Sequence, residues 1–119
     1  MFYLLKNNDG GGYNNVGYTE KKTVTNGKLG AVLTAAGAIA SGDTVAAYVC
    51  MQDKASGSAV CTAITEGMVF EVDAPEGIAV DKSYRFATNG LGITSTEAST
   101  GGAKVLAIEG AKCRVKINI

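Results

Sequence analysis

The last eight residues restrict this chain most. Lys112, Arg114, Lys116 and Asn118 alternate with Cys113, Val115, Ile117 and Ile119, the period-two signature of a strand with one face in a core and the other in water. The alternation recurs where Met68, Phe70 and Val72 interleave with Val69, Glu71 and Asp73, and where Tyr84 and Phe86 flank Arg85. Thr44 to Met51 and Ala103 to Glu109 are apolar on both faces, as central strands are, and Ala59 to Thr65 is a further candidate. The sixteen glycines fall mainly between these runs, at Asn26-Gly27, Gly42-Asp43, Gly57, Gly67, Gly77, Asn89-Gly90, Gly101-Gly102 and Gly110. Turn signals at roughly 8–12-residue intervals are the spacing of a sandwich or barrel. Asn89-Gly90 reads as the tight turn of a hairpin joining Ser83–Thr88 to Leu91–Ser95. Only Ala31 to Ala40 departs from the pattern. Its alanines favour a helix, while Gly37 and the lack of a polar face oppose a long one, so it reads as a strand through Leu33, then a turn, with at most a short helical turn.

Length fits one such body. For 119 residues and 12.1 kDa, surface scaling gives roughly 6,000 Å² exposed when folded against about 17,500 Å² unfolded. That is enough burial for a core without metal or disulfide staples. The expected organisation is all-β, with an N-terminal arm at 1–25 and a β-domain at 26–119. The arm is set apart by Asn7-Asn8-Asp9-Gly10-Gly11-Gly12 and by its aromatics: Phe2, Tyr3, Tyr13 and Tyr18 are four of the eight Phe and Tyr residues in the chain. Mobile tails are poor in aromatics, so the arm is expected to dock, either on its own domain or on a neighbour. Gly37-to-Val45 and Glu76-to-Tyr84 share an apolar anchor, an acidic turn and a strand start; reused turn chemistry and a duplicated hairpin both account for this.

The composition excludes several functions. Eleven basic residues balance eleven acidic ones. Residues 1–60 carry five positive and four negative charges, and 61–119 carry six and seven. A neutral chain lacks the basic footprint that nucleic-acid binding requires. No apolar run approaches the roughly 20 residues that span a bilayer, and Phe2-Tyr3-Leu4-Leu5 is too short for a secretory core, so a chain made in a cytoplasm is expected. Histidine is absent, which removes the commonest general base and zinc ligand. Cys50, Cys61 and Cys113 show no Cys-x-x-Cys spacing and read as reduced, buried thiols, with a disulfide as the alternative.

No serine lies in a Gly-x-Ser-x-Gly elbow, and Asp9-Gly10-Gly11-Gly12 has no following Lys-Ser/Thr to cradle a phosphate. Glu71 and Asp73 share one strand face about 7 Å apart, and read as a solvated face before an acid–base or calcium pair. The basic row Lys112, Arg114 and Lys116 has three readings: pairing with Glu71 and Asp73, meeting an acidic partner, or guarding an edge strand from aggregation, with the last preferred. No catalytic residue, metal or cofactor is expected. A small-residue β-scaffold of this kind suits a structural or interaction role rather than an enzyme.

From about Gly37 to the C-terminus, roughly 80 of the 119 residues, the chain resembles the small decoration, or cement, proteins of tailed-bacteriophage heads. The resemblance is carried by "GAIASGDTV" leading into a strand, "GSAVCTAITEGMVFEV" as strands joined at Glu66-Gly67, "APEGIAVDKSYRFATNGLGITS" as loop, strand and hairpin, and "KVLAIEGAKCRVKINI" ending in the alternating strand. It implies a fold of sandwich, barrel or β-tulip type. It also implies a non-enzymatic virion protein, assembled in the host cytoplasm, that binds the exterior of a capsid and stabilises it against internal DNA pressure. The implied partners are the major capsid protein lattice and other copies of the chain, a trimer being favoured. Under this reading Phe2, Tyr3, Leu4, Leu5, Tyr13 and Tyr18 are the expected capsid or subunit contacts. The alternative is a tail, fibre or surface module that recognises a sugar or protein receptor, with Tyr13, Tyr18 or Tyr48 as platforms.

Overall fold

A computed structural model describes residues 1–6 and 19–119. They form ten strands: β1 (Tyr3–Lys6), β2 (Thr19–Gly27), β3 (Val32–Leu33), β4 (Tyr48–Cys50), β5 (Lys54–Ala63), β6 (Val69–Asp73), β7 (Ser83–Phe86), β8 (Ile93–Glu97), β9 (Ala103–Glu109) and β10 (Lys112–Ile117). There is no helix among the described residues. The strands make two antiparallel sheets, one of six in the order β1-β6-β10-β9-β7-β8 and one of four in the order β2-β5-β4-β3. The protein is a small all-β single domain whose accessible surface, 5967 Å², matches the scaling value.

The alternating runs fold as their pattern dictates. Met68, Phe70 and Val72, then Tyr84 and Phe86, then Cys113, Val115 and Ile117 all turn into the core, where Val32, Ala46, Val49 and Ile64 meet them from the four-stranded side. Gly110 and Ala111 join β9 to β10, with Lys112 opposite Glu109. A two-residue connection needs positive φ, and Gly110 supplies it at 65°. The register shift between Arg114 and Val115 leaves Leu106 as the extra residue of a bulge on β9.

Two local expectations are corrected, and the turn expected after Leu33 is present. Thr44 to Met51 forms a strand only at 48–50, because residues 40–47 cross between the sheets. Ala40 N–H donates to Val32, Gly42 bridges Phe86, and Ala47 N–H returns to Leu33. Asn89-Gly90 does not make a two-residue turn. Phe86 faces Ile93, residues 87–92 form the loop, and Gly90 accepts from Val32 N–H at 2.9 Å, which ties the loop to the other sheet. After Leu33 the chain makes a turn closed by Thr34 N–H to Ala38 and Gly37 N–H to Thr34 rather than a helical turn, and Gly37 accepts from Thr25 N–H on β2. The two similar segments take different places: Ile39 packs on the outer cluster of the small sheet and Ile78 on the main core.

Of the expected arm at 1–25, residues 3–6 and 19–25 are strands of the body, and 7–18 lie outside the described residues. Phe2 enters the core itself. Its ring stands edge-on to Phe70 at 6.4 Å and to Phe86 at 5.8 Å, and its N–H donates to Gly30 at 2.8 Å. Since Gly30 N–H in turn donates to Cys50 of β4, Phe2 couples the edge of the large sheet to the small one. Phe2→Ala is expected to destabilise the fold by about 3–5 kcal/mol, the usual cost of emptying a buried aromatic site, read as a lower urea midpoint at unchanged m-value.

Candidate interaction surface

The outer face of the six-stranded sheet carries a ladder of cross-strand charges. Lys112 is opposite Asp73 and Arg114 opposite Glu71 in the β10–β6 register. Lys112 Nζ donates to Asp73 Oδ1 at 2.5 Å, Arg114 Nε lies 3.4 Å from Glu109 Oε1, and Lys116 pairs with Glu66. β10 sits between β6 and β9, so the preferred expectation that its basic row guards a free edge is corrected: the row neutralises the acidic row beside it. Opposite charges directly across an antiparallel pair are favourable, which accounts for both rows without a ligand.

The hydrogen bond from Lys112, reinforced by its charge, holds the Asp73 carboxyl below its ordinary value, and the same contact holds Lys112 above its own. The Asp73 contribution to stability is therefore present above the unfolded carboxyl value near 3.8 and disappears as pH falls through the lower folded value. The Lys112 contribution is present below 10.5 and disappears as pH rises through the higher folded value. Both side chains are more than half exposed, so solvent and salt weaken the effect.

A second cluster is structural. Asp43 Oδ1 accepts from Ser99 N–H at 2.9 Å, and Oδ2 lies 3.2 Å from an Arg85 guanidinium nitrogen. The Asp43 carbonyl accepts from Gly101 N–H at 3.0 Å and from the Thr100 hydroxyl at 3.2 Å. The approach is so close that a Cβ on Gly101 would lie 2.3 Å from that oxygen. This carboxylate is spent on holding the 40–47 crossing to the loop before β9.

The third region surrounds the N-terminus. Met1, Tyr3 and Leu29 are each more than two-fifths exposed. With Met51 and the buried Phe2, Leu4 and Phe70 they border an apolar cavity of about 210 Å³. Leu29 is held in place by its N–H, which donates to Asp53 Oδ1 at 2.9 Å. A broader hollow of about 410 Å³, of mixed lining, is also bordered by Met1, with Asp73, Pro75 and the 87–93 loop.

The expected contact residues divide accordingly. Phe2 and Leu4 are core, Tyr3 is exposed at the cavity rim, Leu5 is half-buried, and Tyr13 and Tyr18 lie outside the described residues. Tyr48, named as a receptor platform, is half-buried beneath Lys22, whose Nζ lies 5.0 Å from the ring centroid. Sequence reasoning missed Met1, Leu29 and Met51, which belong to no periodic run and meet only through the fold. Among the described residues no group of three or more His, Cys, Asp or Glu is placed to hold a metal.

Asp73→Asn is expected to lower the urea midpoint slightly near neutral pH and to flatten by the same small amount the loss of stability below about pH 4; the check is a series of urea titrations at low and high salt, with the difference shrinking in high salt. Asp43→Ala is expected to cost about 1 kcal/mol, because it removes two bonds that hold the crossing while the exposed Ser99 N–H and Arg85 guanidinium turn to water; thermal unfolding measures it. Comparison with family models, with curated proteins and with solved structures finds no match for this chain.

Proposed function

We propose that this chain is a non-enzymatic structural protein of a phage virion, one that binds the exterior of an assembled capsid and reinforces it. The supporting observation is that the stretch resembling capsid decoration proteins, from Gly37 onward, belongs to one all-β body, on which the N-terminal segment and the β2–β3 connection bring Met1, Tyr3 and Leu29 together as an exposed apolar rim. Exposed apolar side chains grouped around a cavity suit a contact that excludes water. Each bound copy that bridges neighbouring capsid subunits favours the closed lattice by mass action, and avidity multiplies the effect over many sites. A trimer is the expected assembly, since closed symmetry makes one patch serve every copy; light scattering of the purified protein checks it.

The discriminating experiment is co-sedimentation with expanded heads and with procapsids. The wild-type chain is expected to pellet with expanded heads alone. Tyr3→Ser combined with Leu29→Ser is expected to lower occupancy about tenfold or more, the effect of removing central interface anchors, while the thermal midpoint stays near wild type. Truncating the first residues would be a poor substitute, because Phe2 and Leu4 are core. Equal pelleting with both particle forms, or with neither, counts against the reading.

A further inference from the structure

Cys50 of β4 and Cys61 of β5 are direct Cα partners. The Cys50 N–H donates to Ala31 at 2.8 Å and its carbonyl accepts from Gly30 at 2.7 Å, so both main-chain groups face β3. The flanking bonds between the Ala47–Met51 segment and β5 are Met51 N–H to Val60 and Ile64 N–H to Ala47. Cys50 and Cys61 are therefore a non-hydrogen-bonded pair, the position where opposing Cα atoms stand about 4.5 Å apart and side chains come closest. A disulfide accepts Cα separations of about 4.4–6.8 Å. Both thiols are fully buried in the small cluster of Val24, Leu33 and Ala59 on the four-stranded sheet. The Cys50 thiol donates to the Gln52 carbonyl at 3.0 Å and the Cys61 thiol to that of Ala59 at 3.7 Å, and burial together with the neighbouring Cys50 pushes the Cys61 thiol up to about 11. Cys113 has no such neighbour: it faces Val72 on β6 and Ile108 on β9.

We propose that Cys50 and Cys61 form a site of oxidative modification, a dithiol that a small peroxide converts into a cross-strand disulfide with both strands kept in register. One thiol loses its proton and attacks a peroxide oxygen, the O–O bond breaks, and a sulfenic acid and water result. The second sulfur then attacks the sulfenic sulfur, an S–S bond forms, and a second water leaves. The protein loses two protons and two electrons, and hydrogen peroxide becomes two waters. Access comes through the thin cover of this cluster, half-buried Ile39 and Tyr48, which can open without disturbing the main core. The raised Cys61 thiol slows attack from that sulfur, because only the thiolate attacks. The inference is independent of the capsid reading.

The test treats the folded, reduced protein with hydrogen peroxide, then alkylates it in denaturant and maps the peptides by mass spectrometry. The expected result is loss of two of the three free thiols, one linked peptide joining Cys50 to Cys61, Cys113 still alkylated, and a raised Tm that dithiothreitol reverses. Cys113→Ser must still form the link. Cys50→Ala must lose it and carry unlinked oxidised Cys61. Three unreacted thiols after oxidant, separate oxygenation of Cys50 and Cys61, or a link through Cys113 or between chains would each overturn the proposal.

Discussion

The domain depends on one aromatic contact at its beginning. Phe2 wedges edge-on between Phe70 of β6 and Phe86 of β7, while its main chain is bonded to Gly30. Strands β6 and β7 are not neighbours in their sheet, so the ring ties together positions that no ladder hydrogen bond connects. Edge-to-face aromatic pairs add to what burial alone contributes. The bond to Gly30 carries that tie across to the small sheet, and β1 then closes the edge of the large one. The cavity rim at Met1, Tyr3 and Leu29 exists only because this segment is fixed.

Sequence periodicity disclosed much of this body, and its limits have physical causes. β6, β7 and β10 were legible because each alternates a buried face with a wet one, and β9 because it is a long apolar run, although its Leu106 and Ile108 are exposed rather than buried as a central strand's would be. β3 and β4 were not, at two and three residues. Residues 44–47 looked like the start of a strand running to Met51 because both sides of that run are apolar, yet they belong to the 40–47 crossing, whose main-chain groups serve two sheets in turn. Asn89-Gly90 was a correct turn signal with the wrong loop length, since a bond from Val32 on the other sheet sets the loop. The first 25 residues looked like an arm because glycine and asparagine interrupt them, although Phe2 and Leu4 are buried in the core.

The surface follows the same logic. Basic and acidic rows were visible as rows, but which strand stands beside which is a tertiary fact, and it decides that Lys112 and Arg114 face Asp73 and Glu71. The charges that looked most available for a partner are largely satisfied within the sheet. The grouped apolar side chains at the N-terminal rim carry no sequence signal, because Leu29 and Met51 reach Met1 and Tyr3 only after both sheets are assembled. A contact surface made from isolated hydrophobic residues is invisible to periodicity for this reason.

The placement of β10 has a consequence for biosynthesis. It is the last strand in chain order, yet it lies in the interior of the large sheet, between β6 and β9. While the ribosome is still extending the chain, β6 and β9 each lack a neighbour, and β1 can only border an unfinished sheet. Translation at about 5–20 residues per second leaves such a nascent chain with open edges for seconds. The large sheet can close only after Lys112 to Ile117 has cleared the exit tunnel, so β6 and β9 are joined only once every other described strand has been made.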